Sequence, residues 1–388
     1  MSGFIIPNQI SSFLRCLEDA GYQAYIVGGC VRDGLLGMAP HDWDVCTDAL
    51  PQEIQSLFPD TLNYGMKHGT VTVKWQKLQI EVTTFRAESS YSDHRRPDQV
   101  KFIHDLRADL SRRDFTVNAM AMDAAGVLHD PFGGTDDLRA GVIRAVGNPK
   151  ARFEEDALRM LRAYRFSAQL GFHLERDTED AIRMCAPLSV NLAPERVHAE
   201  IEKTLLTNHP DRISGMISSA LLLHWKIFEM KEPAAKLKCV APDRIKRWCA
   251  FCLLTGQTDF LKPLRLDRNT VEACEICADI RKTAPRDALF WKGAIHQHGV
   301  DRALNAAEII SALDQTCDLQ LVDSILSSGE CCTISELAIR GQDVAELGFC
   351  GKEIGDALTA SLHLVWQHPH LNQKEALLHY LREEKRHG

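Results

Sequence analysis

Two aspartates, Asp42 and Asp44, are separated by one residue in the stretch Asp42-Trp43-Asp44-Val45. In an extended segment, alternate side chains project from the same face, so these two carboxylates would lie side by side. They repel each other unless a cation lies between them, and Mg²⁺ takes such oxygen ligands together with waters and substrate phosphates. The pair is therefore a candidate magnesium site, although an isolated Asp-x-Asp sequence is more often a solvated turn.

The residues before the aspartates could position a phosphate beside such a metal. Ala24–Val27 is a short apolar run that predicts a buried strand. Gly28 and Gly29 allow a sharp turn and close approach of the backbone to a ligand, and a helix is predicted from Cys30 to Leu36. A strand, a diglycine, a helix with Arg32 near its start and then paired carboxylates form the arrangement of a nucleotidyltransferase. In it, phosphates lie over the glycine turn and the metal activates an attacking hydroxyl.

A third carboxylate, Glu81, lies within the second of two predicted strands, Gly69 to Trp75 and Leu78 to Phe85. Two interpretations are equally supported: an outward-facing residue of an edge strand, or a supporting ligand beside the aspartate pair. The polar segment that follows, residues 86–97, lacks periodicity and predicts a flexible loop.

A second dense block, residues 111–123, sets Arg113, Asp114 and Asn118 among apolar residues. Asp114 and Asn118 are four residues apart, which predicts that they share one face of a helix. Considered alone, the block would be an ordinary helix with one solvated edge.

A third block, residues 152–166, predicts one helix on which Arg152, Asp156, Arg159 and Arg162 fall within an arc of roughly 120°. Cytosine and adenine both present an amino donor next to a ring-nitrogen acceptor, whereas guanine and uracil present the reverse order. Asp156 accepting the amino hydrogen and Arg159 donating to the ring nitrogen would select C and A. Arg162 and Arg165 could hold base, sugar or phosphate. The alternative is an exposed helix with weak ion pairs.

Composition restricts the classes to which the protein can belong. The chain has 388 residues, of which 45% are apolar and 25% charged, which predicts a globular protein of about two to four domains. It has no apolar stretch long enough to span a membrane and no signal peptide, and its 13 cysteines indicate reduced thiols in the cytoplasm. The net charge of −8 argues against indiscriminate binding of nucleic acid.

Two cysteine pairs have spacing loosely like that of a zinc ribbon, Cys249-x-x-Cys252 and Cys274-x-x-Cys277. Both pairs lie within helical patterns without the glycine or proline knuckle typical of such sites. We therefore expect them to face a core rather than to bind zinc.

Five blocks in this order resemble the bacterial class II tRNA nucleotidyltransferases, the CCA-adding enzymes with their A-adding and poly(A)-polymerase relatives. The resemblance is dense over residues 22–200 and thinner beyond 210. The blocks are VGGCVRDGLLG with DWD, RRDFTVNAMA, DPFGG, EEDALRMLRAYRF and LAPERVHAEIEK.

The resemblance implies an α+β fold, with a polymerase-β-like nucleotidyltransferase head of mixed sheet and helices followed by all-helical domains. The expected boundaries are a head at 1–148, a neck at 149–206, a body at 207–310 and a tail at 311–388.

Site residues follow from the same resemblance. Asp42 and Asp44 would bind Mg²⁺, with Glu81 beside them. The expected nucleotide-binding residues are Gly28, Gly29, Arg32, Arg113, Asp114, Asn118, Asp156, Arg159, Arg162 and Arg165.

The implied activity is addition of C, C and A to the tRNA 3′ end from CTP and ATP, with the helical part holding the acceptor and T-arm half of the tRNA. The alternatives are an A-adding enzyme that works with a separate CC-adding partner, a poly(A) polymerase, and a non-catalytic tRNA-binding scaffold. A full-length segment at 86–97 disfavours a CC-only enzyme. The oligomeric state stays open, a homodimer included.

Overall fold

The computed structural model describes residues 4–62, 66, 69–89 and 99–387. The chain divides into two compact units, Met1–Glu229 and Met230–Gly388. The first unit holds the strands, which are β1 (Ala24–Val27), β2 (Trp43–Thr47), β3 (Thr61–Leu62), β4 (Thr70–Trp75), β5 (Leu78–Thr84), β6 (Arg86–Ser89), β7 (Gln99–Phe102), β8 (Ala121–Met122), β9 (Leu128–His129), β10 (Val142–Ile143) and β11 (His173–Leu174).

The first unit also contains helices α1 (Asn8–Asp19), α2 (Gly29–Leu35), α3 (Pro51–Leu57), α4 (Leu106–Ser111), α5 (Gly134–Ala140), α6 (Pro149–Glu155), α7 (Leu158–Leu170), α8 (Arg176–Cys185), α9 (Pro194–Leu205) and α10 (Ile213–Ser218). The second unit is helical, with α11 (Arg244–Thr255), α12 (Arg268–Lys282), α13 (Ala288–His298), α14 (Val300–Asp314), α15 (Asp318–Ser328), α16 (Gly341–Glu346), α17 (Lys352–Gln367) and α18 (Lys374–His387). None of the described helices is both long enough and apolar enough to cross a bilayer.

The main sheet is mixed, as predicted, with the strand order β3-β4-β5-β2-β1-β8-β9. Strand β2 runs antiparallel to β1 and parallel to β5. Its inward residues, such as Val45, are buried together with Ile26 of β1 and Val82 of β5. The N-terminal helix α1 buries the apolar face that its periodicity predicts, because Ile10, Phe13, Leu14 and Leu17 are all fully buried.

The prediction of a loop over residues 86–97 was wrong for the first four residues. Arg86–Ser89 is a strand that pairs antiparallel with Gln99–Phe102. Its composition is polar, so the partner strand, beyond the reach of a local pattern, decides the conformation. The rest of the predicted loop, residues 90–97, lies outside the described residues.

The four paired cysteines face a helical core in the second unit, as predicted. Cys249 and Cys252 lie on α11, Cys274 and Cys277 lie on α12, and all four are buried. The Sγ atoms of Cys249 and Cys274 are 3.7 Å apart. In the part of the chain that the structure describes, no three His, Cys, Asp or Glu residues are grouped so that they could hold a metal ion.

Gly134 sets the distance between helix α5 and the short 3₁₀ turn Thr116–Asn118. A Cβ at Gly134 would lie 2.3 Å from the carbonyl oxygen of Thr116 and 2.9 Å from Cγ of Met120. Because the first of these atoms belongs to the backbone, a side chain at this position would push the turn that carries Asn118 out of place.

We expect Gly134→Ala to lower the stability of the first unit by about 1–3 kcal/mol because of this overpacking, measured as the shift of its thermal unfolding midpoint. Gly355→Ala in α17 is the matched control, since a Cβ there would meet no described heavy atom within 4 Å. It should be neutral or stabilising by about 1 kcal/mol. Wild-type stability of Gly134→Ala would contradict the close approach.

Candidate active site

Three carboxylates lie near the start of strand β2. Asp44 is the second residue of this strand, and Asp42 lies in the bend just before it. The parallel register of β2 and β5 places Glu81 directly opposite Asp44. Strand β5 lies between β4 and β2, so the first of the two interpretations of Glu81, a residue of an edge strand, was wrong, although the residue is exposed.

Asp44 and its two neighbouring carboxylates repel one another when all three are ionised and no cation is bound. Burial raises the pKa of Asp44, and the neighbouring Glu81 and Asp42 raise it further, whereas Arg113 lowers it. A divalent cation would relieve this repulsion, and carboxylate oxygens are the donors that hard cations prefer. Since the described residues offer no group of three such ligands that could hold an ion, a cation here would take further oxygens from water or substrate.

The diglycine lies beside a guanidinium. Gly28 has φ of +80°, a conformation that favours glycine, and it precedes the first residue of α2. A Cβ at Gly28 would lie 3.1 Å from Nη1 of Arg113. The Nε of Arg113 is buried and has no hydrogen-bond partner among the described residues. Arg113 therefore has donor capacity next to both the glycine turn and Asp44.

A chain of hydrogen bonds joins α2 to α7 through the second sequence block. Nη1 of Arg32 donates to Oδ1 of Asn118 at 2.7 Å, and Nδ2 of Asn118 donates to Oδ1 of Asp114 at 3.1 Å. Nε of Arg162 donates to Oδ2 of Asp114 at 2.8 Å. The structure therefore brings together four of the residues that the sequence singled out.

The helix predicted to carry Asp114 and Asn118 was wrong, although the two side chains do meet. Asp114 lies between α4 and the 3₁₀ turn Thr116–Asn118. Its Oδ1 also accepts a hydrogen bond from the backbone N–H of Phe115 at 2.9 Å. A short polar side chain that bonds its own backbone favours a turn over a helix interior.

The single helix predicted over residues 152–166 was also wrong, because it is broken at Asp156. Helix α6 ends at Glu155, Asp156 has φ of −139° and ψ of 104°, and α7 begins at Leu158. Oδ1 of Asp156 accepts from the backbone N–H of Leu158 at 3.0 Å. The aspartate thus satisfies an amide at the start of α7 that has no partner within the helix.

The break changes the partners of the proposed base-reading pair. Asp156 forms an ion pair with Arg196 of α9, whose Nη2 lies 2.9 Å from Oδ2. Arg159 is 8% exposed, and its Nη1 donates to Glu155 at 2.6 Å. Nη2 of Arg159 donates to the carbonyl oxygen of Arg112 at 2.8 Å. The side chains of Asp156 and Arg159 therefore have different partners, although the backbone N–H of Arg159 donates to the carbonyl oxygen of Asp156 at 3.0 Å.

Sequence reasoning missed two residues of α9 that contact the site. Arg196 holds Asp156, and Glu200, which is 4% exposed, accepts from Nε of Arg165 at 2.7 Å. Glu200 also lies 4.0 Å from Nη1 of Arg162. The available signal was their spacing of four residues within the fifth block, which puts both on one face of a helix.

Family models match most of the chain in the same order as these elements. "Poly A polymerase head domain" matches residues 24–144, "Probable RNA and SrmB- binding site of polymerase A" matches 171–226, and "tRNA nucleotidyltransferase domain 2" matches 241–381. A CCA-adding enzyme of Geobacillus kaustophilus (strain HTA426) is 35% identical over 394 residues, which cover 97% of both chains. The chain belongs to the CCA-adding enzymes.

A second relative in this family, from Geobacillus sp. (strain WCH70), is 39% identical with 85% of each chain covered. The crystal structure of the Bacillus stearothermophilus CCA-adding enzyme in complex with CTP is 32% identical and superposes with a TM-score of 0.81 over 98% of both chains. A mixed-sheet head followed by helices is the fold of these enzymes, which confirms the predicted α+β class.

The ion pair between Asp114 and Arg162 should contribute to acid stability. Although burial opposes ionisation, Arg162 and Asn118 hold the pKa of Asp114 at about 2, below its ordinary value of 3.8. A carboxyl group whose pKa is lower in the folded state stabilises the fold at pH values above its ordinary pKa. This stabilisation is lost as the pH falls towards 2. The difference corresponds to about 2 kcal/mol.

We therefore expect the unfolding free energy of the first unit to fall by about 2 kcal/mol more between pH 5 and pH 2 in the wild type than in Asp114→Asn. Chemical denaturation at a series of pH values measures both curves. Asp136→Asn is the control, because the side chain of Asp136 is 84% exposed, and its curve should run parallel to the wild type. Parallel curves for Asp114→Asn and the wild type would show that the pair does not stabilise the fold in this way.

Proposed function

We propose that this protein adds C, C and A in turn to the 3′ end of tRNA from CTP and ATP, without a nucleic-acid template and with release of pyrophosphate. The observation that carries the proposal is the group formed by Asp42, Asp44 and Glu81 beside the diglycine and Arg113. Similarity to enzymes named CCA-adding along nearly the whole chain supports the same activity.

Enzymes of this family use a divalent metal ion, and we propose Mg²⁺ held by Asp42 and Asp44. When bound, the ion would lower the pKa of the terminal ribose hydroxyl and neutralise charge on the triphosphate. Asp44 lies on a central strand and would give the ion a fixed ligand, while the exposed Asp42 would be open to solvent and substrate. Glu81 adds negative charge next to Asp44 and would serve as a supporting residue.

The guanidinium groups would hold the nucleotide. Arg113 has a buried Nε without a described partner, next to Gly28 and close to Asp44, so it would contact the nucleotide at that point. Arg32, which donates a hydrogen bond to Asn118, would contact the nucleotide next to Arg113. Gly29 would let the backbone approach the phosphates. Arg162 and Arg165 of α7 would complete the group of nucleotide-binding arginines.

Asp156 would read the base. Its Oδ2 accepts one hydrogen bond from Arg196 and retains a lone pair for the amino group of cytosine or adenine. Arg159 would have to release one of its contacts to donate to a ring nitrogen. The structure therefore supports a template role more directly for Asp156 than for Arg159.

We also propose that the helical part of the chain binds the tRNA and carries the base-reading side chains. Residues 149–206 would form the neck with the base-reading side chains, and residues 207–310 and 311–388 would form a body and a tail that bind the acceptor and T-arm half by shape and phosphates.

The activity is tested with purified protein, Mg²⁺ and three tRNA transcripts that end before CCA, after C or after CC, each given CTP, ATP or both. We expect three additions to the first transcript, read as product length on a gel. A single A added only to the CC-ended transcript would indicate an A-adding specialist, and long A tails a poly(A) polymerase. Binding without any incorporation would indicate a scaffold.

Within this assay, Asp42→Ala should abolish every addition and leave tRNA binding intact, because the exposed side chain supplies a metal ligand rather than packing. Asp60→Ala is its control, since the side chain of Asp60 is 66% exposed on the same head and is paired with an exposed lysine. Retained activity in Asp42→Ala would refute the metal assignment.

Asp156→Ala should relax base choice more than it weakens metal binding, because the group that rejects UTP and GTP is then absent. The expected result is a fall of about tenfold or more in the preference for CTP over UTP, measured as the ratio of kcat/KM values for the two nucleotides. Asp136→Ala on the exposed face of α5 should leave the ratio unchanged. An unchanged ratio in Asp156→Ala would exclude the template role.

A further inference from the structure

An aromatic ring on α7 lies beneath three of the guanidinium groups described above. The Cζ atom of Arg165 is 3.7 Å from the centroid of the Phe166 ring, that of Arg162 is 5.1 Å away, and that of Arg32 is 5.3 Å away. These distances lie within the range in which the negative face of a benzene ring attracts a cation.

The arginines reach this ring from two separate parts of the chain. Arg32 belongs to α2, next to the diglycine, whereas Arg162 and Arg165 belong to α7. Phe166 is 6% exposed, and its ring meets that of Phe115 at 5.8 Å between centroids and an angle of 77°. The ring is thus fixed by an edge-to-face aromatic contact, and its position does not depend on the arginines alone.

Three like charges around one point repel each other, and the neighbouring carboxylates only partly offset this repulsion. Asp114 pairs with Arg162, Glu200 with Arg165, and Asp33 with Arg32. Glu200 also lies 4.0 Å from Arg162, so these ion pairs link at most two of the arginines, whereas the ring of Phe166 contacts all three. The ring therefore acts alongside the hydrogen-bond chain through Asn118 and Asp114 that joins α2 to α7, and it brings Arg165 into the same group.

We propose that Phe166 is a positioning residue for nucleotide binding, whose ring holds Arg32, Arg162 and Arg165 together before CTP or ATP arrives. This inference rests on the proposed function, because it requires that the three arginines bind the nucleotide. Phe166 itself touches no substrate in this scheme. Without the ring's electrostatic attraction the arginines would separate, and the nucleotide would have to reassemble them at a cost in affinity.

A buried phenylalanine also packs, so an ordinary substitution would mix packing with electrostatics. Replacing Phe166 by phenylalanine with one, two or three ring fluorines preserves shape closely and progressively weakens the negative face of the ring. We expect KM for CTP and for ATP to rise stepwise along this series, by about fivefold or more with three fluorines. The value of kcat and the thermal midpoint should change little.

The same series at Phe13 is the matched control, because Phe13 is fully buried and stacks on Phe58 at 4.7 Å between ring centroids. Fluorination there should leave KM unchanged. Phe166→Leu, which removes the ring, should raise KM by about fivefold to thirtyfold. Equilibrium binding of CTP to the same proteins should weaken in parallel with KM.

A KM that does not change along the Phe166 series, in protein that incorporates both nucleotides, would overturn the role of Phe166 and leave the proposed function standing. Loss of thermal stability in step with KM would assign the ring to packing and would also overturn it. Absence of CTP and ATP incorporation by the wild type would instead refute the proposed function.

Discussion

The buried ion pair between Asp114 and Arg162 is a central contact between the catalytic head and the helices that follow it. Its two residues are 48 positions apart, and Asp114 is 9% exposed. A buried charge without a partner is strongly destabilising, so once the head places Asp114, α7 must bring a cation to it. Asn118 bonds the same carboxylate and also holds Arg32, so the pair fixes α2 as well. Asp114 therefore positions Arg162 directly and Arg32 through Asn118.

Charge is segregated within the site even though the chain as a whole is acidic. Asp42, Asp44 and Glu81 form a negative group near the start of β2, where burial and mutual repulsion raise the pKa of Asp44. Arg32, Arg162 and Arg165 form a positive group around one aromatic ring. A nucleoside triphosphate with a divalent cation would match this division if, as we propose, its phosphates bind the arginines and its metal binds the carboxylates. The net charge of −8 has no bearing on this match.

Features that depend on nearby residues were predicted correctly from the sequence, and those that depend on distant partners were not. Strand β1, the turn at Gly28 and the buried face of α1 follow from patterns within about a dozen residues. Strand β6 needed its partner at Gln99–Phe102, which no local pattern names. The break at Asp156 was hidden because an aspartate inside a helical pattern can equally be a solvated helix residue or a cap. Arg196 and Glu200 lie in the fifth sequence block, but their partners, Asp156 and Arg165, lie 40 and 35 residues away in the chain.

The break at Asp156 explains why a protein side chain could act as a template at all. A carboxylate in the middle of an exposed helix rotates freely and would accept donors from many directions. Here Oδ1 bonds the amide of Leu158 and Oδ2 bonds Arg196, so the plane of the carboxylate is fixed from two sides. A fixed acceptor would accept a hydrogen bond from the amino group of cytosine or adenine. It would repel the carbonyl oxygen that uracil or guanine presents at the equivalent position. Selectivity would then arise from helix capping and from an arginine on α9, neither of which needs to touch the base.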